Sequence, residues 1–162
     1  MSMKSTSLYE SCSLSAVLAA ELLNAGHDLR VRVTGCSMRP FLKDGDMVTI
    51  RKAPVTALRA GDVLLCKCDD DTLIMHRLLK MQHNGLILYT KGDALDRMDP
   101  PLTGGQCLGR AIAVERETPP GIVLTDMMSF KSVTTNCLRA RYFRFRVIMV
   151  GMSAALKRLW VG

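Results

Sequence analysis

Two Gly-Asp turns, each feeding a run of β-forming residues, constrain this chain more than any other feature. Leu42-x-x-Gly45-Asp46-Met47-Val48 recurs as Leu58-x-x-Gly61-Asp62-Val63-Leu64. Two copies are too few for a solenoid, which needs at least three stacked units, so the echo points to a meander of short strands. Around it, Leu29 to Thr34 alternates Leu-Arg-Val-Arg-Val-Thr, the period of a half-buried strand. Further strands are expected at Met47–Arg51, Val63–Cys68, Leu73–Met81, Leu86–Thr90 and Leu108–Glu115, with a weaker one at Gly121–Leu124. Asn84-Gly85 is a hairpin signal, and Asp69-Asp70-Asp71 is a solvated tip. Residues 91–101 form a loop of acids and prolines.

Strands this short, without helices between them, predict a mainly β fold: a folded antiparallel β barrel or a folded-over sheet. A short helix is expected ahead of it, capped by Ser13, running from Leu14 to Asn24 and stopped at Ala25-Gly26. Its apolar stripe would be Leu14, Val17, Leu18, Leu22 and Leu23. The expected organisation is an N-terminal arm and helix over 1–28, a β domain over 29–126 and a basic, partly helical tail over 127–162. At 162 residues and 48% hydrophobic side chains, the chain can bury one real core.

The net charge of +7 belongs to the tail. Residues 1–126 balance 15 basic against 15 acidic side chains, while 127–162 carries seven basic residues and no acid. Arg139, Arg141, Arg144 and Arg146, then Val147–Leu156, Lys157-Arg158 and Trp160, suit a helix lying on anionic lipid; a helix docked on the domain's own sheet fits the pattern equally. The longest near-apolar run spans ten residues, against the roughly 20 of a membrane-spanning helix. The N-terminus lacks the pattern of a secretory signal. Scarce aromatics and no DNA-binding module argue against nucleic acid. The six cysteines (12, 36, 66, 68, 107 and 137) include no C-x-x-C pair, so no zinc site is expected and the thiols read as reduced. Nothing calls for a cofactor.

Chemistry could reside in Gly35-Cys36-Ser37-Met38-Arg39-Pro40, where proline closes a turn able to hold one hydroxyl at a sheet edge. Most serines in turns only satisfy local backbone groups. Three histidines could act as its base: His27 in a loop, His83 in a hairpin, and His76 in mid-strand, sharing a face with Ile74 and Leu78. Asp93, Asp96 and Asp99 could orient an imidazole. A hydroxyl needs such a base, and the base an acid behind it.

The order of boxes decides among these. Gly35–Pro40, Gly45–Val48, Gly61–Leu64, His76-Arg77-Leu78, Tyr89–Ala94, Asp99-Pro100 and Leu108–Ala111 resemble, in sequence and rough spacing, those of type I signal peptidases, whose superfamily includes the LexA-like autoproteases. The resemblance covers about residues 30–116. His76-Arg77 stands where the lysine branch has Lys-Arg, so the chain resembles the Ser–His branch of the endoplasmic-reticulum signal peptidase. That implies Ser37 as nucleophile, His76 as general base and Asp99 as orienting acid, with Asp93 the second candidate; Asp46 and Asp62 read as turn-formers. It places oxyanion and substrate contacts at Ser37, Met38 and Gly35. Gly35 departs from the lysine-branch pattern, which has a hydroxyl residue there, and Thr34 is only a distant substitute.

The function implied is a serine endopeptidase that cleaves a leader, signal or precursor peptide docked as an added strand. Without an anchoring helix or export signal, a cytoplasmic enzyme is expected, with peripheral contact at the inner face of the membrane. Two alternatives stand beside it: an inactive peptide-binding or scaffold relative, and a self-cleaving LexA-like protein with Ala25-Gly26 as the scissile bond.

Overall fold

The computed structural model describes residues 16–128 and 135–143. Among the described residues one helix precedes the sheet, α1 (Ala16–Asn24). Eight strands follow: β1 (Leu29–Arg32), β2 (Met47–Arg51), β3 (Val63–Lys67), β4 (Leu73–Gln82), β5 (Ile87–Lys91), β6 (Leu102–Thr103), β7 (Cys107–Thr118) and β8 (Gly121–Asp126). A second helix, α2, covers 135–143.

All pairings are antiparallel, in the order β1-β2-β7-β3-β4-β5-β6, with β8 also on β7. β7 is the spine. One edge takes β2 against residues 110–115; the other takes β3 against 107–110 and β8 against 113–118. The fold is the expected mainly antiparallel one, in its folded-over form: the sheet is open, not a closed barrel. Closure needs its two end strands to pair, and here β1 pairs only with β2, while β6 is two residues long and pairs only with β5.

The run Val63-Leu64-Leu65-Cys66 shows how the sheet folds over. All four residues are buried. Val63 and Leu65 face a core shared with α1, β1, β2 and β7, whereas Leu64 and Cys66 face a second core with Ile74, Leu78, Leu88 and Leu102. Successive strand side chains point to opposite faces, so a strand covered on both sides must be apolar throughout.

The repeated Gly-Asp boxes build the same turn twice. Asp46 accepts the Lys43 N–H and Asp62 the Arg59 N–H, both at 2.8 Å. Gly45 (φ +88°) and Gly61 (φ +106°) occupy the left-handed region that glycine tolerates. In α1 the buried face is Ala16, Ala19 and Leu23, while Val17 and Leu18 of the expected stripe are exposed at 55% and 44%. Leu14 lies outside the described residues. The helix ends in a Schellman cap: His27 N–H donates to Leu22 O (3.1 Å) and Gly26 N–H to Leu23 O (3.2 Å), with Gly26 at φ +86°.

Met127 is buried in the first core, and α2 buries Asn136 and Ala140 against the domain. Arg144, Arg146, Val147–Leu156, Lys157, Arg158 and Trp160 lie outside the described residues. No helix among those described is long and apolar enough to cross a membrane.

Candidate active site

The Ser37 turn is an excursion clamped at its base. Val33 N–H donates to Asp46 O (2.8 Å) and Gly45 N–H to Val33 O (2.9 Å). Gly35, at φ +86°, starts the turn, and its N–H donates to Asp44 Oδ1 at 3.1 Å. Met38 and Leu42, both in the first core, nail the turn down, and Leu42 N–H donates to Met38 O (2.9 Å). Ser37 is left half-exposed between exposed Cys36 and buried Met38. Asp46 locks the far end: Arg116 reaches it through Nε (2.8 Å) and Nη2 (2.6 Å), and also donates to Phe41 O (2.9 Å). Burial opposes a charge on Asp46, but the hydrogen bonds from Arg116 and the Lys43 amide outweigh it and hold the carboxyl below its usual range.

His76 enters from β4 with 3% of its surface exposed. Its Nε2 lies 3.1 Å from Ser37 Oγ and its Nδ1 lies 2.8 Å from Asp99 Oδ2. A carboxylate only accepts, which assigns the imidazole proton to Nδ1 and leaves the Nε2 lone pair facing the serine hydroxyl. Asp99 is itself fixed. Its N–H donates to Thr90 O at 3.0 Å, and the Thr90 hydroxyl donates to Asp99 Oδ2 at 2.7 Å. β4–β5 register explains the meeting: Leu78 is opposite Thr90 and shares a face with His76, so His76 and Thr90 project to the same side. A hydroxyl, an imidazole and a carboxylate in hydrogen-bonded series can generate a nucleophile at neutral pH.

The other expected site residues are placed elsewhere. Asp93 is placed away from the imidazole: its two carboxylate oxygens are occupied by Arg77, through Nε (2.8 Å) and Nη2 (2.7 Å), and its side chain is 2% exposed. Arg77 follows His76 and therefore points to the opposite face, taking Asp93 away from the imidazole. Gly35 has no side chain, and its N–H is committed to Asp44, so it has no donor to offer an oxyanion. Met38 puts its side chain into the core. Asp96 is exposed, and so is His83, which sits at positive φ in the 3₁₀ turn His83–Gly85. Among the described residues no group of three or more His, Cys, Asp and Glu side chains could hold a metal.

Three residues that shape this cluster escaped sequence reasoning. Thr90 stands inside the Tyr89–Ala94 box, but a threonine in a strand carries no signal of its own. Gly92 and Ala94 pack against Ser37 from behind. Ala94 N–H donates to Ser37 O at 2.8 Å, and a Cβ on Gly92 would stand 2.7 Å from that same oxygen.

A model of the Peptidase S24-like family matches residues 7–101. The chain belongs to that family. The matched span covers more than half of the 162 residues and includes Ser37, His76, Thr90, Asp93 and Asp99. The S24-like family is one of serine peptidases that takes in both signal-peptidase-like and LexA-like self-cleaving proteins. No curated protein and no solved structure matches this S24-like chain.

Proposed function

We propose that the protein is a serine endopeptidase of the Ser–His type, acting on a leader, signal or precursor peptide. The observation that carries this reading is the hydrogen-bonded series Ser37 Oγ, His76 Nε2, His76 Nδ1, Asp99 Oδ2, at 3.1 and 2.8 Å. In the first step Ser37 Oγ attacks the scissile carbonyl while its proton passes to His76 Nε2, and Asp99 stabilises the imidazolium. The proton then goes to the leaving amine as the carbon–nitrogen bond breaks. Water, deprotonated by the same imidazole, hydrolyses the acyl-enzyme. Base assistance of this kind contributes roughly 10²–10⁴ in rate. The oxyanion is assigned to the Ser37 N–H.

Membership of the Ser–His branch rests on His76 standing in the Lys-Arg box. Self-cleavage at Ala25-Gly26, the alternative that the family also takes in, would require this segment to unfold first. Peptidases bind the scissile segment extended, whereas this bond is folded into the Schellman cap of α1. The four cations of 144–162 (Arg144, Arg146, Lys157 and Arg158), with no acid among them, favour an anionic bilayer as the surface met by the rest of the tail. Salt-sensitive sedimentation with phosphatidylglycerol vesicles, lost on deletion of 144–162, is the expected result there.

The test of the chemistry is labelling by an alkyl fluorophosphonate. Wild type should be modified at Ser37, while Ser37→Ala and His76→Ala should not, with circular dichroism unchanged. A folded wild type that resists the probe would leave the inactive, peptide-binding reading.

A further inference from the structure

Beyond the residues matched by the family, α2 reaches the elements that carry all three proposed catalytic groups. Arg77, 0% exposed and next to His76, donates through Nη1 to Gly61 O (2.9 Å) and to Asn136 Oδ1 (3.0 Å), while Nε and Nη2 hold Asp93. Asn136 is buried and the approach is tight, since a Cβ on Gly61 would lie 2.5 Å from the Asn136 carbonyl carbon. One turn on, the Arg139 guanidinium lies 4.8 Å from the centre of the Phe41 ring, which follows the Ser37 turn. At the far end of the helix the Phe143 ring lies 4.3 Å from Lys91 Nζ, which donates to Gly92 O at 3.2 Å.

We propose that Asn136 is a positioning residue of this centre, and that α2 is a strap holding the Gly92–Asp99 loop against Ser37. The path is short and made of buried contacts. Asn136 fixes the plane of the Arg77 guanidinium; that plane fixes the fork on Asp93; and Asp93 sits between Gly92, which packs on Ser37 O, and Ala94, whose N–H donates to it. A guanidinium is rigid and planar, so losing the acceptor at Nη1 leaves a buried N–H unmet and frees the fork to tilt. The loop then loses its seat on the nucleophile's carbonyl. The catalytic consequence rests on the Ser–His–Asp reading; the mechanical coupling does not.

The experiment uses the full chain with Asn136→Ala, Asn136→Asp, which keeps the acceptor oxygen, and Leu138→Ala, a 61% exposed position on the same helix. Two quantities are read: amide exchange at Ala94 against Val48 and Val114 in the core, and the rate and final stoichiometry of fluorophosphonate labelling. In labelling, a Ser37 Oγ–phosphorus bond forms, fluoride leaves and His76 takes the hydroxyl proton. Asn136→Ala should speed Ala94 exchange at least tenfold with core exchange unchanged, and slow labelling about 10- to 100-fold while full stoichiometry is still reached. Asn136→Asp should recover most of both, and Leu138→Ala should match wild type. Unchanged Ala94 exchange in Asn136→Ala overturns the proposal, as does loosening of the core in step with lost stoichiometry, which would make Asn136 merely structural. A wild type that fails to label while Asn136→Ala still exposes Ala94 removes the peptidase reading and leaves the strap standing.

Discussion

Gly92→Ala isolates the seating of Ser37 from the chemistry proposed for it. Gly92 does not lie at positive φ, so alanine meets no backbone strain there, and the conflict is purely one of contact. The added methyl would stand 2.7 Å from Ser37 O and 2.9 Å from Leu95 Cδ1 and Cγ. Ordinary contact begins at 3.4 Å, so the gap to Ser37 O must open by 3.4 − 2.7 = 0.7 Å. Leu95 can rotate away; the carbonyl oxygen cannot, because Ala94 N–H and the buried Met38 hold the Ser37 backbone. The displacement therefore falls on Ser37 or on the loop that carries Asp99, and the Ser37 Oγ to His76 Nε2 separation of 3.1 Å has no slack to absorb it. Misplacement of about 1 Å costs around 10²-fold, so the expected loss in the rate of fluorophosphonate labelling is about 10- to 100-fold. Overpacking also costs about 1–3 kcal/mol in stability, read from urea unfolding. Gly121→Ala is the control, with nothing within 4 Å of the new methyl. A Gly92→Ala protein that labels at the wild-type rate would refute the argument that this glycine is required for close approach.

Other outcomes follow from the same contacts. Thr90→Val removes the hydroxyl donor to Asp99 at nearly constant volume and should slow labelling about 10-fold, the equivalent of the roughly 1.5 kcal/mol of one hydrogen bond to a charged group. Asp93→Asn and Asp99→Asn should differ chiefly in their cost to stability. The first strands the buried Arg77 and frees the loop seated on Ser37, so it should cost about 3–5 kcal/mol in urea unfolding and also slow labelling, while the second should abolish labelling with a small change in stability. Asp46, whose carboxyl is held below its usual range, contributes stability that is present above the unfolded carboxylate pKa of about 3.9 and lost as pH falls through the lower folded value. Asp46→Asn should therefore be weaker than wild type at pH 7, and the difference in urea midpoint should close on acidification below about pH 4. Cys36 is exposed, whereas Cys66 and Cys107 are buried and face each other across β3 and β7, where the Cys107 sulfur, and burial after it, push the Cys66 thiol up. Iodoacetamide on folded protein should modify Cys36 and block the fluorophosphonate, with Cys66 and Cys107 reacting only after denaturation.

The turns and most of the strands are legible because their signals are local. The Leu-x-x-Gly-Asp echo returns as two turns with the same amide-to-carboxylate bond, and Met47–Arg51 occupies the span that its pattern predicts. What escaped is set by partners distant in sequence. β6 is two residues long and exists because Leu88 and Ile87 pair with it, which no window of residues 102–103 can reveal. Closure of the sheet depends likewise on its two ends meeting, and the short strands that suggested a barrel say nothing about that. In α1, Leu18 has the right chemistry for a core, but Ala16, Ala19 and Leu23 face the sheet, because docking on β1 and β7 chooses the helix face.

The choice between two acids shows what connects the dipeptide His76-Arg77 to the rest of the site. Adjacent residues on a strand project to opposite faces, so the histidine and the arginine cannot share one carboxylate. Arg77, fully buried, requires an anion of its own, since an unpaired buried guanidinium would be strongly destabilising. His76, on the other face, requires a separate acceptor for Nδ1–H. The loop after β5 answers both: Asp93, following Gly92, turns to the arginine, and Asp99, held by the Thr90 carbonyl and hydroxyl, turns to the histidine. The spacing of the two acids within one loop is therefore a consequence of the pleat, and exchanging their roles would require moving β4 by one residue against β5. A one-residue slip of that kind would also carry Ile74 and Leu78 out of the second core, so the packing that stabilises the sheet fixes which acid stands behind the imidazole.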